Sequence, residues 1–246
     1  MNTNSEEVKM YQVSTLQALA LGYNKSVITV EELRRHGDTG LGTFEGVDGE
    51  MIMLDGHCYR AMVDGVVEEA PQDMGVPFAA ISSLQGGKKF ALQEIHSIKD
   101  LKEKLNLSIE EWFGLNSMHI VRIDGKFKKV SARSETGLKS HHISLKDMLE
   151  TRQKDFFFDD VEGTLVCVYF PDYMDGINAA GWHFHFLSED KSKGGHVFEI
   201  DMEEGKVHMV KVSQIVIQLP TEAAFDTYSL KQASGDDIKK VEQGTK

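Results

Sequence analysis

The chain has few cysteines, fewer basic than acidic residues and no long apolar run, and each shortage restricts its possible roles. Two of its 246 residues are cysteines, Cys58 and Cys167. They lie far apart, so we expect no disulfide framework and a reducing compartment. Lys and Arg number 27 against 39 Asp and Glu, which gives a net charge of −12. The basic residues are scattered, which argues against nucleic-acid binding because a phosphate backbone needs a basic face.

Long apolar segments are also missing. No apolar run reaches about 18 residues, the length of a membrane-spanning helix. Residues 1–7 are polar and acidic, without the apolar stretch of a secretory signal. We therefore expect a cytoplasmic protein that binds neither membranes nor nucleic acid.

The residues that are present indicate an ordinary globular protein with one large domain or two small ones. Apolar residues make up 41% of the chain and charged residues 27%. Helical periodicity with capping residues predicts short helices, and apolar runs bounded by glycine turns predict many short strands. The predicted helices cover residues 14–21, 29–36, 97–105, 108–113, 144–149 and 236–242.

Three Asp-Gly pairs predict hairpin turns between strands. Asp55-Gly56 would join strands 47–54 and 57–62, and Asp64-Gly65 would follow them. Asp124-Gly125 would join strands 118–123 and 127–133. Further strands are predicted at residues 76–83, 90–95, 163–170, 197–202, 206–212 and 213–219.

These elements predict an α+β (mixed α/β) fold. We expect two tightly joined subdomains, each a mixed, mainly antiparallel β-sheet with flanking helices. The first would cover residues 1–110, and the second would cover residues 111–246. No change in composition marks the boundary, so a single fused domain is the alternative.

The segment 181–200, Gly-Trp-His-Phe-His-Phe and then Gly-Gly-His-Val, carries the strongest chemical signal. Because side chains alternate along a strand, His183 and His185 lie on one face, with Cα atoms about 6–7 Å apart. The polar residues 188–195 end in two glycines and predict a hairpin loop. His196 would then lie opposite His185 on the returning strand. Three imidazoles with open positions are typical of a catalytic zinc site. A half-exposed strand with no metal would show the same His-x-His pattern.

A catalytic metal also requires an acid–base group and a group that holds the substrate. Glu50 enters an apolar strand, Arg133 ends one, and Glu242 lies in the charged C-terminal segment. Taken alone, each pattern favours an ordinary solvated side chain. The planar guanidinium of Arg133 would suit a carboxylate.

Together these segments resemble the α-acetolactate decarboxylase family. The matching segments follow the family's order along most of the chain: 40–44 (GLGTF), 48–56 (DGEMIMLDG), 77–79 (PFA), 123–127 (IDGKF) with 133–134 (RS), and 181–186 (GWHFHF) through 194–197 (GGHV). The segment with the three histidines is specific, whereas the glycine turns alone would not be.

The resemblance implies a usually dimeric enzyme of acetoin and butanediol biosynthesis that converts (S)-2-acetolactate to (R)-acetoin and CO2. It implies Zn2+ as the cofactor, chelated by the hydroxyl and ketone oxygens of the substrate. The residues that match its functional positions are His183, His185 and His196 as metal ligands, Glu50, Arg133 and Glu242 as catalytic groups, and Thr43 and Arg133 as substrate-binding groups.

We expect Arg133 to orient the substrate. Either Glu50 or Glu242 would deliver the proton that sets the acetoin stereocentre, and we prefer Glu50 as the shuttle. Glu242 would be a second carboxylate near the metal or a transient ligand. Two rival functions remain. A zinc hydrolase could use the same three histidines, and a cupin-like or regulatory module could use them to sense a metal or ligand. A structural zinc would need a fourth ligand, and neither cysteine lies near the histidines.

Overall fold

Two β-sheets that pack against each other make up most of the molecule. The computed structural model describes residues 7–137 and 144–230. Within them, the strands are β1 Lys9–Val13, β2 Ile28–Thr29, β3 Thr39–Thr43, β4 Glu50–Leu54, β5 His57–Ala61, β6 Val67–Glu69, β7 Gly75–Val76, β8 Phe78–Ser82, β9 Lys88–Ile95, β10 Met118–Glu135, β11 Gln153–Phe170, β12 Gly181–Ser188, β13 Gly194–Val212 and β14 Gln214–Gln218. The expected α+β class is therefore confirmed.

The first four of the five described helices begin where the sequence supplies a capping side chain. The five are α1 Leu16–Ala20, α2 Val30–Leu33, α3 Ile98–Trp112, α4 Leu145–Arg152 and α5 Ala223–Asp226, with a 3-10 turn at Asp172–Met174. Side-chain oxygens of Thr15, Thr29, Ser97 and Ser144 accept backbone N–H bonds at the first four helices. The two helical pieces predicted at 97–105 and 108–113 are one continuous helix, α3. The helix predicted at 236–242 lies outside the described residues.

The larger sheet has seven strands in the order β14-β1-β8-β3-β4-β5-β6. Its neighbours are antiparallel except β1 and β14, which run parallel. The predicted hairpin turn at Asp55-Gly56 is confirmed, because Leu54 pairs with His57 across it. Both turn residues have positive φ, 51° at Asp55 and 77° at Gly56, as a two-residue hairpin turn requires.

The smaller sheet contains three long strands and closes on itself. Strand β10 pairs with β11 on one side and with β13 on the other. Strand β12 pairs with β11 and, through three residue pairs, with β13, which completes the ring. Strand β9 extends this sheet from β13. Strands β12 and β13 lie against strands β4 and β5 of the larger sheet, and Leu187 shares an apolar cluster with Ile52, Leu54 and Ala61.

The predicted hairpin at Asp124-Gly125 is wrong, because residues 118–135 form one strand. Gly125 pairs with Gly163 of β11 and with Gly205 of β13, so three glycines form a row across the sheet. A Cβ atom on Gly125 would lie 2.5 Å from the carbonyl oxygen of Glu204. The glycine thus permits close approach of neighbouring strands rather than a turn. The strands predicted at 197–202 and 206–212 are likewise parts of one continuous strand, β13.

The predicted division near residue 110 stays a prediction. Two elements cross it in the described part of the chain. Strand β9 of the first half pairs with β13, and β14 of the second half pairs with β1. Each sheet therefore takes an edge strand from the other half of the sequence.

Both cysteines are buried and free, which confirms that no disulfide joins them. Burial raises the pKa of the Cys58 thiol to about 12 and that of Cys167 well above its usual value. The longest helix in residues 7–137 and 144–230 has 15 residues, and no described helix has the length and apolar character needed to cross a membrane.

Gly125→Ala should lower the free energy of unfolding by roughly 1–3 kcal/mol, because the new methyl group must push β13 away from β10. Lys126→Ala is the matched control, since its side chain is exposed and its loss should change stability by at most about 0.5 kcal/mol. Urea denaturation of both variants measures the difference. Equal stability of the two would contradict the close packing of the glycine row.

His119 should make the fold sensitive to acid. Its ring is fully buried beside Phe113 and Tyr169, and burial lowers its pKa from 6.5 to about 4, with a smaller contribution from Lys211. The unfolded chain therefore binds a proton below pH 6.5 that the folded chain accepts only near pH 4. The contribution of His119 to the free energy of unfolding is fully present above pH 6.5. It falls by roughly 3 kcal/mol in total as the pH drops toward 4.

The comparison variant is His119→Phe, which cannot titrate and keeps every other histidine. As the pH falls from 7 to 4.5, the free energy of unfolding of the wild type should decrease relative to that of the variant. A difference that is constant over this range would show that His119 is not the acid-sensitive group.

Candidate metal centre and active site

Strand β12 places its aromatic and imidazole side chains on opposite faces. Trp182, Phe184 and Phe186 enter the main core of the smaller sheet. His183 and His185 point the other way, toward the larger sheet, and are 6% and 0% exposed. The indole Nε1 of Trp182 donates a 2.8 Å hydrogen bond to Asn106 of α3 and so fixes the strand against that helix. The period-2 pattern of the sequence thus becomes a layer of imidazoles between the two sheets.

The returning strand brings the third histidine into register. His185 and His196 are cross-strand partners, as predicted from the loop at 188–195. Gly195 has φ 144°, and a Cβ atom there would lie 2.6 Å from the carbonyl oxygen of Arg133. A glycine before His196 therefore lets β13 approach β10 closely enough to place the imidazole in the cluster.

The three imidazoles converge on one point. His183 Nε2 lies 3.1 Å from His185 Nε2 and 3.0 Å from His196 Nδ1. Two nitrogens that share a tetrahedral zinc at about 2.0–2.1 Å are separated by about 3.3 Å. In residues 7–137 and 144–230, this is the one group of three metal-binding side chains, and its ligand atoms all lie within 4.8 Å of one another.

The surroundings favour neutral imidazoles with the correct tautomer. His185 Nδ1 donates a 2.8 Å hydrogen bond to the carbonyl oxygen of Met51 in β4, so Nε2 carries the lone pair that faces the cluster. Burial, with smaller contributions from the charges of Arg133 and Lys102, lowers the pKa of His183 to about 3. Burial, followed by the charge of His183, lowers the pKa of His185 well below its usual value. A neutral ring is the form that binds a metal ion.

Glu50 and Thr43 reach the cluster from the larger sheet. Glu50 is the first residue of β4, and its Oε2 lies 3.3 Å from His185 Nε2. Its partner across the ladder is Thr43, the last residue of β3. The Thr43 hydroxyl donates a 2.9 Å hydrogen bond to the carbonyl oxygen of Gly49. Both residues are buried, so the solvated strand-entry alternative for Glu50 is wrong.

Arg133 reaches the same point from the smaller sheet. It is the ladder partner of His196 in β13 and is 8% exposed. Its Nη2 lies 3.3 Å from His196 Nε2. A buried guanidinium next to the three imidazoles supplies a positive charge and a planar pair of donors for a carboxylate or an oxyanion.

These groups line a cavity that is also lined by apolar side chains. Its polar lining comprises Thr43, Glu50, Arg133, Glu135, His183 and His196. Its apolar lining comprises Leu19 of α1, Val47, Phe78, and Leu145 and Leu149 of α4. Besides the three histidines, the sequence predicted four site residues: Thr43, Glu50, Arg133 and Glu242. The structure brings the first three together, and Glu242 lies outside the described residues.

Glu135 is the lining residue that the sequence reasoning missed. It follows Arg133 by two positions in the same strand and is 2% exposed. The period of two that separates His183 from His185 also places Arg133 and Glu135 on one face, so the signal was present in the sequence.

Comparisons with known proteins agree with this geometry. The family model described as Alpha-acetolactate decarboxylase matches residues 10–232, so Glu242 lies beyond the end of the match. An alpha-acetolactate decarboxylase of Methanosarcina mazei is 35% identical over 243 residues, 99% of this chain and 83% of that protein. One of Lactococcus lactis subsp. cremoris is 33% identical over 89% of this chain and 90% of that protein.

Solved structures show the same fold. The crystal structure of alpha-acetolactate decarboxylase from Bacillus subtilis strain 168 superposes with a TM-score of 0.90 at 29% identity, covering 96% of this chain and all of that chain. A Staphylococcus aureus protein described as similar to alpha-acetolactate decarboxylase superposes with a TM-score of 0.89 at 28% identity, over 95% of this chain and 100% of that chain. The fold, the family match and the relatives agree across nearly the whole chain, which therefore belongs to the alpha-acetolactate decarboxylase family of enzymes.

Proposed function

We propose that this enzyme converts (S)-2-acetolactate to (R)-acetoin and CO2 with a divalent metal, zinc, held by His183, His185 and His196. The observation that carries the proposal is the convergence of three neutral ring nitrogens in one cavity with Arg133 and Glu50. Family membership supports decarboxylation of acetolactate. The same resemblance supports a homodimer that works in the cytoplasm.

The residues present fit a catalytic zinc ion. Three imidazoles and no cysteine form the described donor set, which suits zinc and leaves room for substrate oxygens. Neutral ligands also leave the ion its full charge. When bound, the metal supplies a Lewis acid that stabilises negative charge on the hydroxyl and ketone oxygens of the substrate.

Arg133 has the position of a substrate-orienting group. It reaches the cavity beside His196, so a substrate whose oxygens face the imidazoles brings its carboxylate or its ketone oxygen within range. A cation that held the departing carboxylate too strongly would stabilise the substrate and slow the reaction. The useful role of Arg133 is therefore to place the substrate and to stabilise the oxyanion that develops as CO2 leaves.

Glu50 has the position of a proton shuttle. Its carboxylate lies beside His185 Nε2, next to where the substrate hydroxyl would sit, and can accept and return the hydroxyl proton. Thr43 forms the adjoining wall. Glu242 is the second carboxylate that we assign to the metal side of the site, as a transient ligand or a neighbour of one.

The apolar residues that line the cavity suit the methyl groups of the substrate. Acetolactate carries two methyl groups besides its three oxygen functions, and Leu19, Phe78, Leu145 and Leu149 line the same cavity as the polar groups. A substrate with its oxygens toward the imidazoles would rest its methyl groups on these side chains. Exclusion of water by these side chains would strengthen the electrostatic interactions of the polar groups.

The direct test is acetoin formation from racemic acetolactate, with the metal content read on the same sample. Chelation should abolish both CO2 release and acetoin formation, and added zinc should restore them, because three imidazoles alone cannot stabilise the oxyanion. A folded, metal-loaded enzyme that forms no acetoin would refute the proposal. Release of acid from esters or lactones by that sample would favour the zinc hydrolase instead.

Glu50→Gln should keep the metal, since the three imidazoles are intact, but lower the turnover number by roughly 10²–10⁴-fold through loss of the proton shuttle. Metal content and thermal stability are measured in parallel with steady-state rates. Glu103→Gln, an identical change on the exposed face of α3, is the matched control and should behave as wild type. Full activity of Glu50→Gln would remove Glu50 from the mechanism.

A further inference from the structure

The loop between β3 and β4 holds a valine in a backbone conformation that valine rarely adopts. Val47 has φ 59°, in the left-handed region, between Gly46 at φ 81° and Gly49 at φ 95°. A β-branched residue is strained in this region because its Cβ atom lies too close to the backbone, whereas a glycine has no such atom. Residues strained in this way are held by their surroundings and occur most often at functional sites.

Hydrogen bonds of the backbone and of the next residue keep the loop in this conformation. The amide of Val47 donates a 2.8 Å bond to the carbonyl oxygen of Phe44. Arg60 holds the following residue, Asp48, because its Nε donates a 2.8 Å bond to the carbonyl oxygen and its Nη2 pairs with the carboxylate. The amide of Gly137 donates a 3.2 Å bond to the same carboxylate. These contacts do not involve the Val47 side chain, so a smaller residue at position 47 should keep the same backbone path.

The Val47 side chain is buried at the edge of the catalytic cavity. It belongs to an apolar cluster that includes Leu19 of α1, Phe78 of β8 and Leu145 of α4. The same four residues line the cavity that contains the candidate ligands of the metal. The side chain that the strained backbone carries is therefore a surface that a bound substrate would touch.

The position of Val47 in the chain ties it to the polar part of the site. Thr43 and Glu50 are ladder partners at the ends of β3 and β4, and both line the cavity. Residues 44–49 reverse the chain between them, with positive φ at 46, 47 and 49. Val47 is thus carried by the short, firmly held loop that connects two polar site residues.

We propose that Val47 is a specificity-determining residue that limits the length of an alkyl group of the substrate. The proposal rests on the function proposed above. Valine has one side-chain torsion, which branching at Cβ restricts, and the loop beneath it is fixed by hydrogen bonds. Its two methyl groups therefore form a rigid surface that accepts a methyl group of acetolactate and opposes an ethyl group in the same place.

The experiment uses the full-length, metal-loaded enzyme and its Val47→Ala and Val47→Gly variants, with Met148→Ala as the matched control. Met148 packs in the same buried apolar cluster, but the described lining of the cavity includes Leu145 and Leu149 of α4 and not Met148. We would measure kcat/KM for acetolactate and for two homologues. One homologue has an ethyl group in place of the methyl group on the hydroxyl-bearing carbon, and the other has it in place of the methyl group on the ketone.

For at least one homologue, kcat/KM relative to that for acetolactate should rise about ten-fold or more in both Val47 variants, because one methylene group in an apolar pocket changes specificity by about this factor. The ratio should stay at the wild-type value in Met148→Ala, since lost packing alone does not distinguish the substrates. The homologue that responds identifies which methyl group lies against Val47. Ratios that are unchanged for both homologues, or that rise equally in Met148→Ala, would overturn the assignment.

The strain at Val47 has a test that does not depend on the substrate. Alanine has a Cβ atom and glycine has none, so Val47→Gly should melt at a temperature no lower than Val47→Ala, although glycine is ordinarily the less stabilising of the two. A clearly lower melting temperature of Val47→Gly would contradict the strain and overturn the proposal with it. Failure of the metal-loaded wild type to convert acetolactate would instead refute the proposed function itself.

Discussion

The hydrogen bond from His185 Nδ1 to the carbonyl oxygen of Met51 joins the two sheets at the candidate metal site. It fixes which ring nitrogen of His185 carries the proton, and it holds the imidazole at the distance at which His183 and Glu50 are its neighbours. The larger sheet contributes the backbone acceptor, and the smaller sheet contributes the ring. The position of the candidate metal site is therefore a property of the packing between sheets, and a shift of either one would separate the ligand set from Glu50 and Thr43.

Local signals in the sequence were enough to predict that the three imidazoles lie together, although they left a strand without a metal as an alternative. Strand alternation and a short polar loop placed three imidazoles on one side of a hairpin, and the register of His185 with His196 confirms that prediction. The helix caps were predictable for the same reason, because each depends on residues three or four positions apart. Glu50, Thr43 and Arg133 come from three other strands in two sheets, so no local pattern could unite them. Only the resemblance to a family brought them together before the structure did.

The Asp-Gly pairs show where local reasoning fails. Asp55-Gly56 forms a hairpin turn with two positive φ angles, whereas Asp124-Gly125 lies inside a strand of 18 residues. The two pairs are identical in sequence. What differs is the presence of Gly163 and Gly205 on the strands that flank Gly125, which lets three backbones run close together. These partners are remote in the sequence, so the pairing that overrides the turn was invisible to any short window.

The polarity of the cavity connects these observations with the reaction. Imidazoles, a guanidinium and two carboxyl groups line the cavity together with leucine and phenylalanine side chains of α1, α4 and β8. A small molecule with adjacent oxygen atoms and short alkyl groups could contact both kinds of lining residue at once. The proposed stereospecific protonation requires a substrate held in one orientation, because a substrate free to turn over would present both faces to the proton donor. In the proposed reaction the apolar residues would contribute although none of them can transfer a proton, because contacts with the methyl groups would restrict how the substrate lies in the cavity.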